Sequence, residues 1–165
     1  MKNTIILIVM MVCCVSFCNE VAVQFIKQNE GFKPNVHYVF GKAHIGYGFT
    51  SKKYVERKYM TEKEATIILK EYVTACQTVV KKNVKVKLTQ NQEAVLIDFI
   101  YHFGGNAFIK STLLKQLTAG KFDQVPVELA KWVKQKKVVD GETTYVVEKG
   151  LKNRADRRIA LWNKK

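Results

Sequence analysis

A mostly helical α+β fold is what this sequence predicts, on three observations. Two capping boxes, Thr61-Glu62-Lys63-Glu64 and Thr89-Gln90-Asn91-Gln92, each stand ahead of an apolar series at helical spacing. Between His37 and Gly48 the residues become aromatic, β-branched and glycine-rich, which reads as a short sheet with tight turns. No repeat, low-complexity tract or linker divides the chain, so one compact unit fits all of it.

Residues 1–18 read as a secretory signal peptide. Met1-Lys2-Asn3 is a short positive start, Thr4 to Cys18 is almost unbroken apolar, and Ser16 and Cys18 are spaced for cleavage before Asn19. The apolar run is short of the ~20 residues a spanning helix needs, so no stable membrane anchor is expected after cleavage; the alternative is an uncleaved signal anchor, favoured only by strong hydrophobicity and the absence of helix breakers. Residues 19–165 are then one secreted, monomeric, extracellular domain with a real core. Three of four cysteines leave with the leader, and Cys76 is expected to pack on an apolar helix face.

The elements follow in order. Val21 to Asn29 places Ala22, Phe25 and Ile26 on one face and delivers Glu30 at its end. Behind the first capping box, Ala65, Ile68, Leu69, Tyr72, Val73, Cys76, Val79 and Val80 form a long apolar stripe. Behind the second, Val95, Leu96, Phe99, Ile100 and Phe103 point inward until Gly104-Gly105 stops the helix. Ser111 is positioned to cap a short helix ended by Gly120, and Asp123 to cap another, with Pro126 in its first turn and Leu129, Trp132 and Val133 facing the core. Asp140-Gly141 flanked by β-branched runs within Lys136 to Val147 signals a hairpin. A last helix is expected from about Asn153 to Trp162.

Formal net charge is +14, or +13 without Lys2, which implies an anionic partner. No nucleic-acid-binding motif is present and the lysines are spread along the chain, so with export the bacterial wall is the better partner than nucleic acid. Three scattered histidines make no metal site, and Gly46-Tyr47-Gly48 lacks the helix and the Lys-Ser or Lys-Thr of a phosphate loop. No cofactor is expected.

Chemistry points to Glu30. It closes an apolar helix immediately before a glycine-punctuated hairpin, where a carboxylate can hang over a cleft. Burial beside Ile26 and Phe32 is expected to raise its pKa, keeping it protonated as a general acid. From Phe32 to Val55 there is no second Asp or Glu; the hairpin offers His44, whose imidazole can serve as base or nucleophile or pack without a chemical role.

Seven strings in order carry a family resemblance. They are Glu30-Gly31, Ile45-Gly46-Tyr47-Gly48-Phe49-Thr50, Leu88-Thr89-Gln90-Asn91-Gln92, Phe99-Ile100-Tyr101-His102-Phe103-Gly104, Ser111-Thr112-Leu113-Leu114, Trp132, and Gly150-Leu151 with Asn153-Arg154-Ala155. With them the chain resembles a bacteriophage-type lysozyme, the glycoside hydrolase family of phage endolysins and their secreted relatives. The resemblance implies a two-lobed fold, a small sheet lobe joined by a long helix to a larger helical lobe, with peptidoglycan bound between. It implies a muramidase whose catalytic set is a Glu, then an Asp or Cys, then a Thr before Gly-x-Gly. Glu30 matches the first. Tyr38 (or Val39) and His44 stand at the other two positions, His102 where the family has Asn or Gln, and Arg154 where an arginine lies near the acid. The expected enzyme is a secreted peptidoglycan hydrolase with Glu30 as general acid, His44 as base or nucleophile, and Tyr38, His102 and Arg154 supporting. The alternative is a catalytically silent relative that binds bacterial wall or another acidic glycan.

Overall fold

The computed structural model describes residues 18–39, 41–139 and 142–164. The leader expected at 1–18, except Cys18, and the Asp140-Gly141 turn lie outside the described residues. Helix α1 (Glu20–Glu30) begins where the Asn19 side chain accepts from the Ala22 amide at 3.0 Å. The same Asn19 amide group donates to the Gln90 carbonyl at 3.1 Å and to Glu93 at 2.8 Å, so the start of α1 is tied to the start of a later helix. Gly31, at φ 67°, ends α1 and turns the chain into β1 (Lys33–Val39).

Strand β1 pairs antiparallel with β2 (Lys42–Gly46), His37 opposite His44 and Tyr38 opposite Ala43, with a register shift between Lys33 and His37. A short helix α2 (Lys52–Val55), which the sequence reading did not contain, closes the small lobe. Gly46 sits at φ 65°, and a Cβ there would lie 2.9 Å from the Phe49 ring, so both backbone and space demand glycine.

Helix α3 (Glu62–Asn83) then runs 22 residues, about 33 Å at 1.5 Å per residue, from the sheet lobe to the helical lobe. Its capping box is formed in both directions between Thr61 and Glu64. Ala65, Ile68, Leu69, Val73 and Val80 are buried as the spacing predicted, but Gln77 joins them, while Tyr72 is 37 % exposed and Cys76 is half-buried. The stripe is rotated slightly from the predicted one, because its Tyr72–Cys76 edge faces open space beside the hairpin.

Helix α4 (Gln90–Phe103), also capped by a complete box at Thr89 and Gln92, is the hub. Every residue from Ala94 to Ile100 is buried, as befits a helix covered on all sides, and it packs against α1, α3, α5 (Gly105–Lys110) and α8 (Lys149–Trp162). Gly104-Gly105 was expected to stop the chain's helical run. Gly104 at φ 88° does end α4, but Gly105 opens α5 at once.

Ser111 caps α6 (Thr112–Thr118) through the Leu114 amide at 3.1 Å. Asp123 does not cap α7 (Gln124–Leu129): it already has helical dihedrals, and its carboxylate accepts from the Gln124 side chain at 2.8 Å. Trp132 packs edge-on to Phe99 with ring centres 4.8 Å apart. Strands β3 (Lys134–Val139) and β4 (Glu142–Val147) pair as a second hairpin. Helix α8 starts four residues earlier than expected, because Glu148 caps the Leu151 amide at 2.6 Å and Gly150 leaves room for that carboxylate. The architecture is therefore mostly helical with two small sheets, the predicted α+β class.

Replacing Gly46 by Ala is expected to destabilise the protein by about 1–3 kcal/mol through left-handed strain and the clash with Phe49. Urea unfolding measures this; a change within about 0.5 kcal/mol, the scatter of neutral surface substitutions, would contradict it.

Candidate active site

Glu30 is delivered by the last turn of α1 to a point where the β2 turn meets α4 and α8. Its Oε2 lies so close to Gly48 that a Cβ there would be 3.3 Å away, and Gly48 is at φ 87°. The hairpin glycine thus lets the backbone come up against the acid. Oε1 accepts from Arg154 Nη1 at 2.5 Å. The Glu30 side chain is 21 % exposed and that of Arg154 only 6 %, so the acid keeps one open face.

Arg154 is itself held from behind by Asp98, a residue the sequence reading passed over. Asp98 is fully buried in α4. It accepts from Arg154 Nη2 at 2.6 Å and Nε at 3.2 Å, and from Arg158 Nε at 2.6 Å. Arg158 also donates to the Asp98 carbonyl at 3.2 Å, and its guanidinium lies over the Phe103 ring at 5.2 Å. Asn29, next to the acid, donates to Asp98 at 3.3 Å and accepts from Arg157 at 2.6 Å. Two carboxylates and two guanidiniums make a formally neutral group, the condition for keeping charge in an interior. The signal for Asp98 was present: a single acid inside Val95-Leu96-Ile97-Asp98-Phe99-Ile100 has no exposed face to occupy.

These contacts correct the expected titration of Glu30. Burial does push its pKa up, as predicted. The hydrogen bonding of His102 and the charge and hydrogen bond of Arg154 outweigh it, and the carboxyl is held below its ordinary value. His102, on the last turn of α4, places Nδ1 3.0 Å from Arg154 Nη1 and 3.9 Å from Glu30 Oε1. One nitrogen cannot both accept from Arg154 and donate to Glu30. Nδ1 meets Arg154 when it carries a lone pair and Glu30 when it carries a proton, so the form of the ring decides which of the two it supports.

On the hairpin, His44 and His37 are direct cross-strand partners with ring centres 5.8 Å apart. Burial lowers the pKa of His44 and so favours its neutral form; a hydrogen bond with the Gly48 backbone and the charge of Glu30 oppose this, and His37 adds to it. The buried Nδ1 of His37 has no hydrogen-bond partner. The sequence reading gave His37 little weight; strand register alone shows that it shares a face with His44.

Tyr38 is not brought to this group. It lies opposite Ala43, on the other pleat face from His37 and His44, is 73 % exposed, and borders an outer hollow with Val36, Val55 and Lys58. Tyr47 and Tyr101 are structural: the Tyr47 hydroxyl donates to Glu62 at 2.7 Å and the Tyr101 hydroxyl to the Tyr47 carbonyl at 2.6 Å, tying hairpin to α4. Cys76, expected to be buried, instead borders a cavity with Gly48, Thr50, Tyr72 and Tyr101, and its desolvated thiol is pushed up to about 11. Among the described residues no group of three or more His, Cys, Asp or Glu is arranged to hold a metal ion.

Known proteins share this arrangement of chain. The family model described as phage lysozyme matches residues 27–158. The endolysin of Acyrthosiphon pisum secondary endosymbiont phage 1 is 31 % identical over 127 residues, 76 % of this chain and 85 % of that one. The SAR-endolysin of Escherichia phage Mu is 32 % identical over 109 residues, 66 % of this chain, which spans 59 % of that relative's length. Among solved structures, the muramidase domain of SpmX from Asticaccaulis excentricus superposes with a TM-score of 0.78 at 25 % identity, covering 90 % of this chain and 99 % of that one.

Removing the buried anion should be severe. Asp98→Ala strands two guanidiniums and is expected to cost about 3–5 kcal/mol, measured by denaturant unfolding; a loss under about 1 kcal/mol would mean the network is not holding the helices. The same contacts set the acid limb of stability. Asp98 and Glu30 both sit below their ordinary values in the fold, Asp98 because Arg158 and Arg154 outweigh its desolvation. Their contribution is therefore complete above the ordinary carboxylate range and is lost as pH falls through the lower folded values.

Proposed function

The chain belongs to the phage lysozyme family, and we propose that it cleaves the glycan backbone of bacterial peptidoglycan as a muramidase, with Glu30 as general acid and His44 as base or nucleophile. Family membership makes it a lysozyme-type glycoside hydrolase acting on peptidoglycan. The observation that carries the assignment of Glu30 is its position: one carboxylate, half-open, oriented by a buried arginine and pressed against the hairpin glycine.

Cleavage needs a proton for the leaving glycosidic oxygen and a partner for the oxocarbenium-like carbon. In the free protein Arg154 keeps Glu30 ionised. A sugar on its open face excludes water there, strengthens the desolvation that already pushes its pKa up, and makes the acid available in the complex. As the C1–O bond breaks, the Glu30 proton passes to the leaving oxygen. His44, kept neutral by burial, supplies a lone pair either to a water, giving inversion, or to C1 itself, giving a covalent intermediate and retention. Arg154 and His102 act on Glu30; Tyr38 has no place in this reading.

Export by the leader 1–18 and action on the wall from outside the membrane complete the proposal. No helix among the described residues is long and apolar enough to cross a membrane.

Two experiments test the chemistry. Glu30→Gln should lower wall lysis by ~100-fold to ~10,000-fold while leaving the fold and wall binding intact. In the parent, kcat should keep its acid form to higher pH than kcat/KM, because the first reports the complex and the second the free enzyme. Equal lysis by Glu30→Gln would return the reading to a silent wall-binding protein, and coincident alkaline limbs would remove the substrate-driven shift.

The anomeric form of the first product, followed by proton NMR before mutarotation, decides what His44 does. Added bulk where the family has threonine leans toward direct attack, so a retained product and glycosyl transfer to acceptor sugars are expected, both lost in His44→Ala. Inverted product removes the nucleophile; full activity in His44→Ala removes any catalytic role.

A further inference from the structure

The first hairpin carries two imidazoles, and the proposed chemistry uses one of them. His37 on β1 and His44 on β2 are direct partners across the ladder, with ring centres 5.8 Å apart and planes tilted by 39°. Directly opposed residues have Cβ atoms ~4.5–5.5 Å apart, close enough for both rings to hold one ion. Both side chains are half-buried, so a small solute still reaches them. Spacing along the chain leaves the histidines scattered; strand register brings these two together.

Their nitrogens are available in different ways. The Nδ1 of His37 is buried and has no hydrogen-bond partner among the described residues, so its bonding capacity is uncommitted. His44 hydrogen-bonds with the Gly48 backbone, and that bond favours the charged ring, which makes the ring the donor and the carbonyl the acceptor. One nitrogen of His44 is thereby fixed as N–H and the other keeps its lone pair, the arrangement that orients a histidine toward a metal. Two imidazoles that each hold a shared zinc ion at ~2.0–2.1 Å have ring centres roughly 5–6 Å apart, the spacing this pair already has. The charge of Glu30 reaches His44 and favours a cation there, while Lys42 opposes it. No Asp or Glu lies between Phe32 and Val55, so the hairpin itself adds no third ligand.

We propose that His37 and His44 together bind a divalent transition-metal ion of the zinc class, the two rings supplying one nitrogen each and water the remaining positions. Imidazole suits zinc, copper and nickel, whereas calcium and magnesium take oxygen ligands and do not fit. With two protein ligands the site is open and reversible, unlike a closed four-ligand structural centre. Binding engages the His44 lone pair that cleavage requires, so the metal is an inhibitor. That consequence rests on the muramidase reading; the site itself does not.

The probe is zinc chloride, titrated into the full chain at ~0.15 M salt, where the field of the lysines is screened beyond ~8 Å. Ring-proton NMR should show the His37 and His44 resonances moving together while those of His102 stay in place, and magnesium chloride should move neither. Loss of a partner that merely orients a ligand costs ~10-fold to ~100-fold in metal affinity, so His37→Ala and His37→Gln should each weaken the hairpin's zinc binding by at least ~10-fold in calorimetry. Zinc held by cysteine thiols remains in both variants, so the difference from the parent reads the hairpin alone. Resonances that do not move, movement of one ring only, or parental affinity in both variants overturns the site. Activity tests the consequence. Release of reducing ends from soluble glycan strands should fall over the same zinc range and return with EDTA, while His37→Ala keeps its basal rate and loses the sensitivity. Zinc on both rings with unchanged cleavage overturns the inhibition and removes His44 from the chemistry. Failure of the muramidase reading shows separately, as no cleavage by the metal-free parent, and leaves the binding result intact.

Discussion

One buried carboxylate organises this protein. Asp98 has no route to water, so its charge must be met inside, and the groups that meet it come from α8 and from the end of α1. A carboxylate in such a place without partners would cost several kcal/mol, far more than any one surface contact supplies. Docking of α1 and α8 on α4 is therefore not only apolar packing; it is the condition on which α4 can be buried with an Asp in its middle. Because Arg154 donates to Asp98 with one edge and to Glu30 with its remaining nitrogen, the same requirement aims the acid.

That economy creates a conflict. The guanidinium that orients Glu30 also stabilises its ionised form, the wrong state for the proton donor we propose it to be. Asp98 moderates the conflict, since it sits on the same guanidinium and offsets part of its charge. The open face of Glu30 is then the adjustable element. Desolvation is already the largest influence on this carboxyl, and a bound sugar can only increase it, so substrate has leverage where the protein's own contacts are fixed. A fully buried acid would lack that response.

The elements most legible in the sequence were those with local causes. Both capping boxes formed as written, the apolar stripe of α3 was right to within a small rotation, and the seven strings in order led to the family. What was hidden depends on tertiary distance or register. Asp98 and Arg158 are 60 residues apart and meet only when α8 docks, so neither alone announces a partner. His37 and Tyr38 are neighbours in sequence with opposite fates, and only the pairing His37 with His44 decides which faces the site; a shift of one residue would exchange them. The titration of Glu30 was misjudged for the same reason: its apolar neighbours are local and visible, while the arginine that outweighs them is 124 residues away. Asp123 shows the converse, a good capping residue idle because its own backbone is already helical.

Long-range charge and the local network pull on the site in different ways. The formal net charge of +14 sets a positive potential around the molecule that favours loss of protons everywhere, including at Glu30 and His44. The four-charge network at the site is itself neutral and short-ranged, so it cannot cancel that field; it only fixes geometry inside it. For His44 the field helps, because a neutral imidazole is the form that offers a lone pair, and its burial works in the same direction. For Glu30 the field opposes the proposed donor role. An anionic substrate would settle this difference if its charge lay outside the network yet within the ~10 Å over which salt leaves electrostatics effective. Under the proposed mechanism, arrival of wall carboxylates would lower the local positive potential just as the sugar displaces water, and both changes would return a proton to Glu30. On the proposed reading the excess of lysines would serve attraction at long range without obstructing proton donation at short range, provided that the substrate brings negative charge close to Glu30.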